Sequence, residues 1–471
     1  MNEAEQRRTA ATPAEGLTEQ LAFDPADPKA SLAQLPQASA VFALYGAQAH
    51  AEPYIGRTPN LRARLERLLQ PSPQHSRRLQ LAGRVRRIAW RLTGSEFESL
   101  LVQFQLLEAS FGAKALERMH LRHPAFVRFL GGNPYPRVTV TYRPSRSEAD
   151  WAYGPFPSRA AAERFVDEAL KLFLLRRCTF DLAPDPAYPG CVYSEMKMCL
   201  APCFKGCTGE RYAEESAAVQ SFLATRGASR LVTLRAQRDQ ASANLEFESA
   251  AALHAQVQRV EAVRALAPEL VRPLNQLRAV ILQAAASPGE VAVFLYDDGR
   301  LRGPVGFSTL GMRIQNEQSG STSLFAHPVA IEPIPEDAGN REQGTGNQEQ
   351  GTGNQEQGTG NQEQEAASSQ NTPAQAAGEA QMPPAPAKLP RGVLEARMDE
   401  VLAVLSAPSA SASATVRQAH LALLKRWYYR PEARRSGEIF FPGAEGNWPV
   451  KAMLRGIGRI AAKMMAPASR P

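Results

Sequence analysis

The sequence predicts an α+β protein: a small mixed α/β module, a cysteine-rich stretch, a helical hairpin, a low-complexity segment and a helical C-terminal segment. Three observations predict it. Short β-branched and aromatic runs alternate with amphipathic helical patterns across residues 31–210. Two long helical patterns, 211–238 and 240–267, follow one another as an antiparallel hairpin would. Between 336 and 390 every apolar periodicity is lost.

Residues 1–30 are rich in Ala, Pro and Glu and read as a disordered tail. The module at 31–130 opens with two short strands, Ala40-Val41-Phe42-Ala43-Leu44-Tyr45 and Pro53-Tyr54-Ile55. Asn60 is placed to cap a helix, a strand spans Val85 to Leu92, and Ser95 is placed to cap a helix to Ala109. Residues 131–210 add a strand from Arg137 to Tyr142, a helix from Arg159 to Leu175, and the cysteines. The helical hairpin occupies 211–270. In 271–335, Val291 to Leu301 passes through Asp298-Gly299, a β-hairpin signal. Three GTGNQEQ copies, at 344–350, 351–357 and 358–364, have a coiled-coil period but no apolar position, so no seam can be buried. The stretch 336–390 therefore reads as a flexible linker. Residues 391–471 read as helical, with LALLKRWYYRPEARR at 421–435 as the most distinctive string.

Lys and Arg total 54 against 47 Asp and Glu, a net charge of +7, which excludes an acidic disordered protein and favours an anionic partner. The positive charge concentrates in residues 57–91, which hold ten Arg and one Glu. Such a stripe is the electrostatic footprint of phosphate contact, and Arg57, Arg62, Arg64, Arg84, Arg86 and Arg87 are the candidate DNA-binding side chains. The first residues lack an apolar leader core, and no run approaches the ~18 apolar residues of a membrane span, so a cytoplasmic protein is expected.

All five cysteines lie between 178 and 207. Cys178, Cys191, Cys199 and Cys203 are spaced C-x12-C-x7-C-x3-C, and Cys207 follows. Four thiolates on a short stretch broken by Pro and Gly suit either structural zinc or an iron–sulfur cluster, and the spacing alone does not choose. A secreted disulfide framework would spread its cysteines more widely.

Tyr153-Gly154-Pro155-Phe156-Pro157-Ser158, Leu174-Leu175-Arg176-Arg177-Cys178 and Met198-Cys199-Leu200-Ala201-Pro202-Cys203 resemble the UvrC family, the C subunit of the bacterial excinuclease ABC. Asn244-Leu245-Glu246-Phe247-Glu248-Ser249-Ala250-Ala251-Ala252-Leu253-His254 is similar to the UVR motif through which UvrC pairs with UvrB. The resemblance implies a UvrB contact through Leu245, Phe247, Ala251 and Leu253. Leu35-Pro36 followed by Ala40-Val41-Phe42, with Tyr54-Ile55-Gly56 downstream, resembles the GIY-YIG nuclease module that opens UvrC. For Cys178, Cys191, Cys199 and Cys203 it implies a 4Fe-4S iron–sulfur cluster, with Cys207 extra. Beside Arg176, Arg177 and Lys197 such a group is expected to act as a structural clamp near DNA.

A GIY-YIG nuclease hydrolyses a phosphodiester with one divalent metal, here Mg²⁺ or Mn²⁺, and needs a carboxylate ligand, tyrosine hydroxyls and phosphate-facing cations. The resemblance supplies Tyr54, Arg57 and Arg64 for these roles. It places Phe42 at the first tyrosine, Gln103 at the metal-binding glutamate and Val127 at an asparagine. Tyr45 replaces Phe42 only in a shifted register, since Ala43-Leu44-Tyr45 also resembles GIY. Glu96 lies seven residues from Gln103, ~10.5 Å along a helix, too far to substitute for it.

After 271 only the opening strands of the family's RNase H-like domain are resembled, which implies a truncated member without the second nuclease. Leu423-Leu424-Lys425-Arg426-Trp427-Tyr428-Tyr429 with Gly437-Glu438-Ile439 resembles the tails of stand-alone, single-cut UvrC homologues. This string reads either as a basic-aromatic nucleic-acid surface or as a helix packing its aromatics on the 280–310 hairpin. Two functions remain open on this reading. One is a metal-dependent endonuclease that incises double-stranded DNA beside a lesion. The other is a catalytically inactive paralogue that docks on DNA or UvrB.

Overall fold

The computed structural model describes residues 16–48, 51–69, 81–142, 151–312, 389–408, 412–443 and 445–465. The GTGNQEQ linker lies outside them.

Four antiparallel strands, β1 (Glu19–Ala22), β2 (Ala40–Gly46), β3 (Tyr54–Thr58) and β4 (Val85–Leu92), form the first sheet in the order β1-β4-β2-β3. Central β2 is buried on both faces, which explains why its sequence is a continuous apolar run. Phe42 and Leu44 face α2 (Leu61–Leu69), after the short α1 (Pro28–Ala33). Val41 and Ala43 face α3 (Glu96–Phe111) through Val102 and Leu106. Both expected caps form: the Asn60 side chain accepts from the Ala63 N–H at 2.9 Å, and Ser95 from the Glu98 N–H at 3.1 Å. The expected tail is shorter than 1–30, because β1 pairs with β4 from Glu19↔Trp90 to Ala22↔Arg87. Buried Leu17 and Phe23 pin this edge strand, which carries no alternation of its own.

The second sheet has the order β6-β5-β7-β8, built from β5 (Ala125–Phe129), β6 (Val138–Thr141), β7 (Ala152–Phe156) and β8 (Arg272–Pro273). Strand β5 thus belongs here and not to the first module, and α4 (Ala115–Arg118) precedes it. Helix α5 (Arg159–Leu170) covers the sheet, capped by Ser158. The short α6 (Val192–Glu195) lies among the cysteines. The expected helix 211–238 is two helices, α7 (Gly209–Ala224) and α8 (Ala228–Ala243), because the chain turns left-handed at Arg226 and Gly227, φ 53° and 80°, and the Gly227 N–H donates back to Phe222 O at 2.7 Å. A Cβ at Gly227 would lie 2.7 Å from Arg264 Cγ, so the break needs glycine. The antiparallel hairpin is therefore α8 with α9 (Phe247–Ala265).

In the third sheet, β9 (Ala279–Ala284), β10 (Glu290–Asp297), β11 (Arg300–Ser308) and β12 (Glu438–Phe440) take the order β11-β10-β9-β12. Asp298 and Gly299 adopt φ 46° and 74°, as the expected hairpin turn demands. The C-terminal segment is not purely helical: it returns β12 to pair with β9, Glu438↔Leu282 to Phe440↔Val280. Strand β9 is buried nearly throughout, so its second edge needs a partner. Gly437 permits the approach, since a Cβ would sit 2.2 Å from the Leu282 carbonyl oxygen. Residues 271–312 and 389–465 thus share one core. Helices α10 (Arg391–Ser406) and α12 (Val450–Met465) cover one face of the sheet. On the other face α11 (Ala414–Tyr428) packs against α3, with Trp427 and Phe294 5.4 and 5.1 Å from Phe97. The aromatics of the 421–435 string are therefore spent on packing.

Among the described residues, no helix is long and apolar enough to cross a membrane.

Candidate functional site

Strand alternation sorts the nuclease-like residues onto two faces of the first sheet. Tyr54 pairs with Leu44 and Gly56 with Phe42, so Tyr54 lies on the Phe42 face, which α2 covers. Tyr54 is 36% exposed, with its ring 6.2 Å from that of Phe42. Phe42 is buried, and a Cβ at Gly56 would lie 2.7 Å from its ring. Tyr45 and Arg57 belong to the opposite face, toward α3, with Tyr45 beneath the Arg87 guanidinium at 4.1 Å. The structure therefore does not bring Tyr54 and Arg57 to one surface. Val127 is further removed, buried in the second sheet between Val140 and Tyr153. Gln103 is half-buried on α3.

Sequence reasoning set Glu96 aside, but it is the centre of a charged cluster. Arg430 grips both its carboxylate oxygens, at 2.5 and 2.6 Å, and Arg57 Nη1 lies 3.4 Å away. The Arg430 hydrogen bonds, with the charges of Arg430, Arg57 and Arg426, hold the Glu96 carboxyl below the usual carboxylate range. Burial pushes the Arg57 guanidinium down, and Arg426 and Arg430 add to this. A carboxylate so occupied, with a neutral amide at Gln103, does not fit a hard divalent ion, which wants carboxylate oxygens of its own. The DNA-binding candidates also divide. Arg62 donates to the Leu35 carbonyl at 2.7 Å, and Arg86 to those of Gly83 and Val85 at 2.8 Å. Arg87 reaches Gln20 at 3.2 Å, whereas Arg64 and Arg84 are exposed.

The cysteine stretch folds differently. Cys203 is buried, the other four are half-buried, and all five are free thiols. Lys197, Ala201 and Lys205 take positive φ values of 54°, 55° and 59°, so the backbone is strained on both sides of Cys199 and Cys203. Burial pushes the Cys199 thiol up to about 11, with Cys178, Cys191 and Cys203 all near enough to raise it further. The Ala201 N–H points at Cys199 Sγ, 3.3 Å away. Arg176 is 1% exposed: its Nε donates to Tyr135 O at 2.8 Å, its Nη1 to Phe180 O at 2.9 Å, and Nη1 lies 3.6 Å from Cys178 Sγ. Tyr212 locks the same corner, accepting from the Arg176 N–H and donating to Pro136 O. Arg176 Nη2 and Arg177 Nε and Nη2 are buried and make no hydrogen bond among the described residues. Buried guanidinium charge calls for compensating anions, and ligating thiolates are anions. The donor set therefore fits a thiolate-held group. Among the described residues, however, no three His, Cys, Asp or Glu side chains are grouped closely enough to hold a single metal ion.

On the hairpin, Val257, Val260 and Val263 bury one face of α9 and Leu253 packs beside them. Leu245 and Phe247, at the α8–α9 tip, are 72% and 67% exposed, and Leu245 takes φ 63°. Ala251 is exposed. A groove of about 660 Å³ between α5 and the hairpin is lined by Arg164, Lys171, Arg230 and Arg259 with Glu168.

Residues 126–222 match the UvrC/Cho excinuclease middle domain, and residues 228–263 the UvrB/uvrC motif. Both models describe parts of excinuclease proteins, with the cysteine stretch inside the first match and the hairpin inside the second. Residues 126–263 are thus similar to the UvrC family. The chain is 31% identical to the UvrABC system protein C of Alcanivorax borkumensis over 212 residues, 45% of this chain and 34% of that one. The Desulforudis audaxviator protein of the same name is 30% identical over 281 residues, 59% of this chain and 44% of that one. The Ruminiclostridium cellulolyticum protein is 26% identical over 302 residues, 64% and 49%. The chain thus spans between a third and a half of the length of these relatives. No solved structure matches it.

Proposed function

We propose that this protein acts in nucleotide excision repair by docking on UvrB and on double-stranded DNA. The exposed Leu245–Phe247 tip within the UvrB/uvrC match carries the reading. Two large apolar side chains held in water at a hairpin turn are what a helical partner would bury. The basic first module supplies the DNA contact, and Cys178, Cys191, Cys199 and Cys203 hold a 4Fe-4S cluster. When bound, that cluster supplies negative charge beside Arg176 and Arg177 and ties together the strained loops around it. Zinc is the alternative occupant, and a single ion would need the thiols drawn closer together than they lie here.

The nuclease-like module binds and does not cut. Phe42 offers no hydroxyl, Gln103 no carboxylate, and Glu96 is already gripped by Arg430. One observation favours a slow endonuclease instead: Tyr45 shares the sheet face of Arg57 and α3.

Retention of the full chain on immobilised UvrB tests the docking. Phe247→Glu is expected to weaken it by more than tenfold, an effect of ~2 kcal/mol typical of a central anchor. Unchanged retention overturns the assignment of the hairpin. Incubation with UvrB, a lesion-bearing duplex and Mg²⁺ or Mn²⁺ tests the chemistry. No nicks are expected, and nicks that vanish with Tyr45→Phe or Tyr54→Phe restore the endonuclease.

A further inference from the structure

We propose that Arg57, Arg426 and Arg430 form one binding site for a backbone phosphate of duplex DNA, assembled around Glu96 from β3 and the end of α11. The proposal rests on the DNA-docking reading above and places the C-terminal segment within the interface.

Charge arithmetic is the first argument. Three guanidiniums act on one carboxylate, a local surplus of two positive charges. Glu96 gives both oxygens to Arg430, which leaves Arg57 a single contact at 3.4 Å. An ion pair serving only the fold would need one cation for one anion.

Access is the second. The side chains of Arg57, Arg430 and Glu96 are 30%, 26% and 37% exposed, so the cluster is open to solvent while much of its water is excluded. Arg426 is exposed one helical turn before Arg430. Partial exclusion of water strengthens a phosphate contact relative to one at a fully exposed arginine.

Preorganisation is the third. Trp427, between Arg426 and Arg430, is buried and donates to Ser436 O at 2.8 Å. Tyr429 donates to Pro155 O at 2.7 Å. The guanidiniums are thus carried by a fixed backbone, with Glu96 as a spacer that keeps two of them from repelling one another. The partial negative charge at the α11 C-terminus opposes an anion, but at roughly half an elementary charge it is well below the surplus of two.

Duplex binding by the full chain, followed by fluorescence anisotropy as salt rises from about 50 to 200 mM, reads the site. Arg426→Gln and Arg430→Gln are each expected to flatten the log–log salt slope by about one unit and to weaken binding several-fold. Glu96→Gln removes the carboxylate that these guanidiniums share and is expected to tighten binding. If Arg430 merely anchors Glu96, Glu96→Gln and Arg430→Gln will lower the unfolding temperature alike without altering the slope, which overturns the proposal. If Arg64→Gln and Arg84→Gln flatten the slope while Arg426→Gln and Arg430→Gln do not, the DNA reading survives and this site falls. No duplex binding by the unmodified chain overturns both. Inorganic phosphate at constant ionic strength is the final arm. Arg430-dependent phosphate binding with an unchanged duplex slope marks a free-anion site and overturns the duplex assignment.

Discussion

Two charged regions of this chain are built on opposite plans. Around Glu96 the carboxylate is matched inside the protein, since Arg430 closes on it and Arg57 adds to it, and the surplus cationic charge stays open to solvent. Around Cys178 to Cys203, guanidinium nitrogens are buried without hydrogen-bond partners among the described residues, and thiols gather beside them. A region matched internally needs nothing bound to be stable. One that buries uncompensated charge is complete only with a ligand. The difference teaches where the proposed resident group would complete the fold and where the chain only offers a surface.

The largest expected effect lies in the cysteine region. Cys203→Ser is expected to abolish the bound group and to destabilise the 126–263 unit by ~3 kcal/mol or more, because Arg176 stays buried without its anion. Thermal unfolding with metal analysis checks this, and an unaltered transition breaks the comparison. Next is the seat of α11. Trp427→Ala is expected to cost ~3–5 kcal/mol, the usual loss for a large buried aromatic, and to loosen the hold of Arg430 on Glu96.

His420 sharpens the matched side through pH. It is buried against Phe104, accepts from the Leu301 N–H at 2.9 Å, and is pushed down to about 3 by burial, with Arg300 adding to it. Its folded value lies below the unfolded one, so protons favour the unfolded chain. The stabilisation is complete above the unfolded value near pH 6.5 and is lost as pH falls toward 3. About 1.4 kcal/mol should go per pH unit, or ~2 kcal/mol between pH 6.5 and 5. Denaturant melts across that range check it, and His420→Gln should flatten the dependence. The smallest effect is expected at Tyr54: as an exposed edge residue, Tyr54→Phe should change stability by less than ~0.5 kcal/mol.

Local features of the fold were legible in the sequence. Asn60, Ser95 and Asp298-Gly299 act within a few residues of themselves, where capping and turn chemistry operate. Cysteine spacing was legible because nothing else in the chain competes for it. Short pairings between distant segments were not: β1 and β12 are four- and three-residue strands whose pairing depends on a neighbour far along the chain. The grip of Arg430 on Glu96 joins residues 334 positions apart and leaves no periodicity to read. Gly227 was a visible signal passed over, lying inside what read as one continuous helix. The buried state of Arg176 had no signal, since two adjacent arginines before a cysteine normally read as solvated.

Metal and sulfide content of the full chain, purified without oxygen and without reconstitution, tests the central contrast most directly. The expected result is about four iron atoms per chain with matching sulfide, lost together with stability in Cys203→Ser while the first module still melts cooperatively. Protein free of iron and zinc, with the 126–263 unit as stable as in the iron-loaded chain, would contradict it.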